Sequence, residues 1–137
     1  KIARFPRGTR IHSRDEEEYI YNLLLNKRGF NVQKQNYNEA YDLLVNGKKV
    51  EIKYRSRARE KSDPRGYMEY KFTSLKGKVL VDFYIFICGQ IPFPQKIHIV
   101  PASKVTNSYT IMANPKNKQT KKKERQYNLN WKSLRGT

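Results

Sequence analysis

The chain has 137 residues, 37% of them hydrophobic, and sets 29 Lys and Arg against 12 Asp and Glu for a formal net charge of +17. That length allows one compact domain with a core and not two ordinary ones, and the charge repels like copies while attracting polyanions, chiefly nucleic acid or an anionic membrane surface. There is no run of about 20 apolar residues and no basic amphipathic helix with a broad apolar face, so nucleic acid is the expected partner and a membrane is not.

Residues 1–14 hold Lys1, Arg4, Arg7, Arg10 and Arg14 with no acid, and Pro6 and Gly8 interrupt any helix. They read as a basic N-terminal arm whose Arg4, Arg7 and Arg10 are candidates to reach into a DNA groove. No apolar stretch of a signal peptide accompanies them, and the single cysteine, Cys88, excludes a disulfide framework. An intracellular setting, cytoplasmic or nucleoid, is the expectation.

A globular domain is predicted over 15–113. Its first element is a helix over 15–28, with Asp15, Glu16, Glu17 and Glu18 in the first turn, Lys27 and Arg28 in the last, and Gly29 beyond. Ile20, Leu23 and Leu24 form its apolar face. Phe30 to Gln35 alternates apolar and polar, as a half-buried strand does. Two β-prone runs then flank Asn46-Gly47, the strongest short-range signal for a hairpin with a type I′ turn. Residues 57–67 are charged and interrupted by Pro64 and Gly66, so they read as a loop. A strand at Met68 to Thr73 precedes a turn at 74–77. The continuous apolar run from Val79 to Cys88 predicts a fully buried strand. Lys96 to Val100 is a further strand, Pro101 opens a short helix near Ser103, and Tyr109 to Ala113 is the last strand. From Asn114 the chain is basic and expected to be a nearly core-free extension over 114–137.

The two-residue loop at Asn46-Gly47 sets the register of the hairpin. Val45 faces Lys48, Leu44 faces Lys49, Leu43 faces Val50, and Asp42 is expected opposite Glu51, with Cβ atoms about 4.5–5.5 Å apart. Lys53 lies two residues on, on that same face, while Leu43, Val45, Val50, Ile52 and Tyr54 occupy the other. Like charges held opposite each other cost stability unless something sits between them, and a divalent cation is the economical candidate. Asp42, Glu51 and the backbone carbonyl of Ile52 form a hard-oxygen set suited to Mg²⁺, with Mn²⁺ as the substitute. Lys53 is then placed to orient or deprotonate an attacking water.

Asp42, then Glu51-Ile52-Lys53, preceded by an acidic helix ending in Leu-Leu-Asn-Lys-Arg-Gly-Phe, resembles the PD-(D/E)XK nuclease superfamily, which includes restriction enzymes, Mrr-like nucleases, Holliday junction resolvases and some homing endonucleases. Tyr41 stands where the family name has Pro. The resemblance implies a restriction-endonuclease-like α/β fold with a mixed sheet of four or five strands, flanked by the first helix on one face and a short helix on the other. It also implies Mg²⁺-dependent hydrolysis of DNA phosphodiester bonds, with Glu18 as the helical acid of the site and Glu17 as the alternative. The sequence leaves open a sequence-specific homing or restriction-like enzyme, a resolvase-like nuclease and a non-catalytic nucleic-acid binder. Cleavage of both strands by one site per chain would favour a homodimer or higher homo-oligomer.

Three further features are weighed beside this site. A second Glu-x-Lys occurs at Glu69-Tyr70-Lys71 with Asp63 upstream, without a hairpin turn to bring the Asp opposite. His12 and His98 have no Cys or His at zinc-ligand spacing, and Asp82 is expected to cap or pair beside the buried strand. Arg55, Arg57, Lys121, Lys122, Lys123, Arg125 and Trp131 are the remaining candidates for DNA contact, through phosphate charge and aromatic stacking.

Overall fold

The computed structural model describes residues 15–35, 41–60, 66–75 and 81–135, so the N-terminal arm with Arg4, Arg7 and Arg10 lies outside the described residues. The first helix, α1, spans Asp15–Leu25, with its acids in the first turn and Ile20 and Leu24 buried. It ends three residues before the predicted Arg28, leaving Lys27 and Arg28 beyond the helix. The Asn26 side chain donates to the Asn22 carbonyl at 2.9 Å, a local bond that competes with the helical ladder at this end.

Among the described residues, eight strands follow in two sheets: β1 Val32–Lys34, β2 Leu43–Val45, β3 Lys48–Arg55, β4 Arg59–Glu60, β5 Met68–Phe72, β6 Phe83–Cys88, β7 Lys96–Pro101 and β8 Tyr109–Met112. The larger, mixed sheet has the order β1-β2-β3-β6-β7, antiparallel except where β3 runs parallel to β6. The predicted hairpin register holds at Leu43–Val50, Leu44–Lys49 and Val45–Lys48. Asn46 and Gly47 both have positive φ, 50° and 82°, as a type I′ turn requires.

Alternation along the strands gives the mixed sheet two buried faces. One carries Leu43, Val45, Val50, Ile52, Ile85, Ile87, Ile97 and Ile99, packed with Ile20 and Leu24 of α1. The other carries Tyr84, Phe86, Cys88 and Val100 and is covered by a three-stranded antiparallel sheet, β4-β5-β8, through Tyr70, Phe72, Tyr109 and Ile111. Phe86 lies 4.5 Å from Tyr109 and 4.7 Å from Phe72, centroid to centroid. The short helix predicted for this face is a 3-10 turn at Ala102–Lys104 with no buried residue. The small sheet does the covering, because β4 and β5 close it with β8 from far along the chain.

The C-terminal segment differs most from expectation. Asn117 caps a second helix, α2, over Lys118–Tyr127, its side chain accepting the Thr120 N–H at 2.9 Å. Leu129 N–H then donates to the Ile97 carbonyl at 2.7 Å, and a 3-10 turn over Trp131–Leu134 inserts a fully buried Leu134 into the α1 core. The segment is thus part of the packed fold. Among the described residues, no helix is long and apolar enough to cross a membrane.

Candidate active site and basic surface

The regular ladder between β2 and β3 ends at the Leu43–Val50 rung. Asp42 lies just outside it, 8% exposed, with its N–H donating to the Val50 carbonyl at 3.0 Å. Its carboxylate accepts the Ile52 N–H at 2.8 Å, standing in for the strand partner that β2 does not extend to supply. The expected Asp42–Glu51 rung is therefore replaced by a side-chain cap on β3. Because N–H and C=O of one strand residue point to the same neighbouring strand, the Ile52 carbonyl is also directed to the side where Asp42 sits. Glu51 and Lys53 share the opposite face from Val50 and Ile52 and form an ion pair of 2.9 Å, both half-buried.

Glu51 is in register with Tyr84 on β6, a residue the sequence reading did not select. Burial raises the Tyr84 phenol, and the charge of Glu51 raises it further, so its hydroxyl stays a donor, given to the Leu75 carbonyl at 2.7 Å. Only the parallel pairing of β3 with β6 could have revealed this neighbour.

The two helical acids separate clearly. Glu18 is partly exposed and pairs with Lys34 of β1, whose ammonium also lies 4.6 Å from the Tyr21 ring. Glu17 is 3% exposed and shares the buried face with Ile20 and Leu24. The rival Glu69 is buried and paired with Arg59 at 3.3 Å, tying β4 to β5, and Asp63 lies outside the described residues. Asp82 caps the start of β6: its carboxylate accepts the Lys49 N–H and its own N–H donates to the Lys49 carbonyl, each at 2.8 Å. Among the described residues, no group of three or more His, Cys, Asp or Glu side chains converges as a metal cage. Asp42, Glu51 and the Ile52 carbonyl are two carboxylates and one main-chain oxygen. That donor set fits a hard cation which keeps several waters, as Mg²⁺ does.

A second polar cluster docks α2 on β7. Glu124 bonds the buried Lys96 ammonium at 2.9 Å and the His98 Nε2 at 3.1 Å. Burial holds the His98 imidazole down at about 4, against an opposing pull from Glu124 and with help from Lys123 and Lys96. The ring is then neutral at neutral pH. Since a carboxylate only accepts, Nε2 carries the hydrogen, and Nδ1 accepts from the Tyr109 hydroxyl at 3.2 Å. Lys123 belongs to this cluster: burial lowers its amine, which donates to the Thr110 carbonyl at 2.7 Å and lies 3.9 Å from the Tyr109 ring.

The candidate DNA contacts divide accordingly. Lys123 is turned into the fold, while Lys121, Lys122 and Arg125 are exposed on α2. Arg55 is exposed, yet its guanidinium donates to the Lys71 and Tyr54 carbonyls at 3.2 and 3.1 Å and covers Phe72, bracing the two sheets together. Arg57 is exposed, and Trp131 is half-buried with the Lys27 ammonium 5.7 Å from its ring centre.

A helix feeding an antiparallel hairpin, a parallel strand beyond it and a second sheet behind together define an α/β fold. The structure is similar to that of a bacterial homing endonuclease, I-Ssp6803I, with a TM-score of 0.58 over 86% of this chain and 84% of that one, at 18% sequence identity. No family model and no curated protein matches the sequence. The likeness is therefore one of fold.

Proposed function

We propose that the protein is a metal-dependent DNA endonuclease of the PD-(D/E)XK type, hydrolysing a phosphodiester bond at the site formed by Asp42, Glu51 and Lys53. The observation that carries this reading is the Asp42 carboxylate seated on the Ile52 N–H at 2.8 Å, which sets it beside the strand that bears Glu51 and Lys53. Support comes from the fold shared with a homing endonuclease and from a net charge of +17 suited to a DNA polyanion.

Asp42, Glu51 and the Ile52 carbonyl would hold Mg²⁺, or Mn²⁺ in its place. When bound, the ion supplies Lewis-acid polarisation of the phosphate and a more acidic water. The Lys53 ammonium, anchored by Glu51, orients the attacking water and offsets negative charge as it grows on the phosphoryl oxygens. The water oxygen bonds to phosphorus and gives up a proton to solvent, the ester P–O bond breaks, and the departing oxygen takes up a proton from solvent. We assign the role of helical acid to Glu17 and not Glu18, because Glu17 faces inward while Glu18 is engaged by Lys34 at the surface. One such site per chain cuts one strand, so cleavage of both strands calls for two chains related by symmetry.

The test is incubation with plasmid, linear duplex, single strands and a four-way junction, in Mg²⁺, in Mn²⁺ and in chelator. Metal-dependent cleavage is expected. Asp42→Asn, Glu51→Gln and Lys53→Ala should each lower it by about 100-fold or more while leaving DNA binding within a few-fold. Binding without cleavage by the wild type in every metal would instead identify a non-catalytic DNA binder.

A further inference from the structure

Away from Asp42, Glu51 and Lys53, the loop after α1 meets the segment from Arg125 to Arg135 around a cleft of about 400 Å³. Lys27, Arg125, Lys132 and Arg135 line it together with Phe30 and Trp131, and no acid among the described residues contributes to its wall. Four carboxylates among the described residues are engaged elsewhere: Glu18 with Lys34, Glu51 with Lys53, Glu69 with Arg59 and Glu124 with Lys96. Among the described residues, no acid forms an ion pair with any of the four cations of the cleft.

Neutral groups hold two of these cations in place. Lys27 lies 5.7 Å from the Trp131 ring centre, and Arg135 lies 5.3 Å from that of Phe30 while donating to the Arg28 carbonyl at 3.3 Å. Rings and a carbonyl orient the side chains without cancelling their charge. Four like charges around one concavity repel, and an anion relieves that repulsion. The volume suits a nucleotide-sized group, since ligand clefts run from about 300 to 1,000 Å³, and the guanidinium forks match phosphate oxygens.

The cleft is also joined to the hairpin that bears the candidate active site. The Asn46 amide donates to the carbonyls of Gly29 and Leu134, both at 3.1 Å, and its oxygen accepts the Asn31 N–H at 2.7 Å. From Asn46 back to Asp42 the chain advances four residues, about 13 Å at 3.3 Å per residue.

We propose that this cleft is a phosphate-binding subsite that grips the DNA sugar-phosphate backbone outside the cleavage centre, with Lys27, Lys132 and Arg135 joining Arg125 as its ligands. The proposal rests on the reading of the protein as a DNA endonuclease. Its test is separable, because Trp131 is the sole tryptophan of the chain and lies in the cleft wall.

A short DNA duplex is titrated into the full chain in chelator, following Trp131 emission alongside anisotropy of a label on the duplex. Both signals should saturate at the same midpoint. Lys27→Gln with Lys132→Gln should weaken binding about tenfold and lower the slope of log affinity against log salt by about 1.8, or about 0.9 per lost contact. With Mg²⁺, that variant should show a raised KM and an unchanged kcat. Lys132→Gln alone, at an exposed position, should lower the slope by about 0.9 if the double variant does not fold. A control pair, Lys104→Gln with Lys116→Gln, exposed and outside the cleft wall, should lower it by less than half as much as the cleft pair. A silent Trp131 with normal anisotropy, or an equal slope change in the control pair, overturns the subsite and leaves the nuclease reading standing. A Trp131 response with no metal-dependent cleavage supports the subsite and overturns the nuclease reading. Absence of any DNA binding overturns both.

Discussion

Where β2 stops, the Asp42 carboxylate takes the Ile52 N–H at 2.8 Å, so this side chain completes the sheet as well as presenting a charge. Removing the acceptor leaves a buried N–H without a partner, a loss of about 1–3 kcal/mol. Asp42→Ala should therefore destabilise by that amount in urea unfolding, and Asp42→Asn, which keeps an acceptor oxygen, by clearly less. Equal stability of the two variants would show that the bond contributes nothing. The helical acids permit a sharper comparison, since Glu17 is 3% exposed and Glu18 is paired with Lys34 near the surface. Glu17→Gln should lower metal-dependent cleavage about 10–100-fold, as loss of a supporting group at a metal site does. Glu18→Gln should leave cleavage within about twofold and cost no more than about 1 kcal/mol of stability, as expected for an exposed pair. The reverse ranking would return the role to Glu18.

At the level of elements, α2 is held to β7 by one acid with two buried partners, Lys96 and His98. Glu124→Ala would leave the Lys96 ammonium, 6% exposed, without its counter-ion, a change that costs about 3–5 kcal/mol at buried pairs. Hydrogen exchange should then show lost protection across Lys118–Tyr127 before the mixed sheet opens. The same cluster confers a pH dependence. Because burial keeps the folded His98 at about 4 and its ordinary value is 6.5, the unfolded chain takes up the proton first as pH falls. Stability from this residue is complete above about pH 6.5 and is lost on descent towards pH 4, by about 3 kcal/mol. Melting curves across that window should flatten in His98→Gln relative to the wild type, and an unchanged profile would place the acid sensitivity elsewhere.

For the whole molecule, the basic C-terminal segment is both charge and structure. Deleting residues 115–137 would remove the fully buried Leu134 and Glu124 along with the lysines, so the truncated chain should melt far below the wild type. The charge is better tested in place: Lys121→Gln with Lys122→Gln, both exposed on α2, should leave the melting temperature within about 2 °C, because surface substitutions rarely exceed 0.5 kcal/mol. The salt slope of DNA binding should fall by about 1.8 if both contact phosphate. A large melting shift with no slope change would mean that α2 serves only the fold.

What could be read directly from the order of residues was whatever short-range chemistry decides. Asn46-Gly47 sets a type I′ turn because both positions need positive φ, and the turn then fixes which residues of β2 and β3 face each other. The acidic start of α1 and the apolar run of β6 are equally local, and with the hairpin they sufficed for an α/β fold with Asp42, Glu51 and Lys53 as candidates. Other features depended on partners distant in the chain. Arg59 and Glu60 are charged loop residues until β5 and β8 arrive to make them an edge strand, and Leu134 has no periodic neighbours to announce that it is core. Glu17 and Glu18 occupy the same helical turn, and only the packing of α1 on the sheet turns one inward. Lys123 differs from Lys121 and Lys122 in nothing but the side of α2 that meets Tyr109. Local propensity sets backbone conformation within a few residues, whereas burial and counter-ion pairing depend on which surfaces meet, and that was settled by tertiary packing.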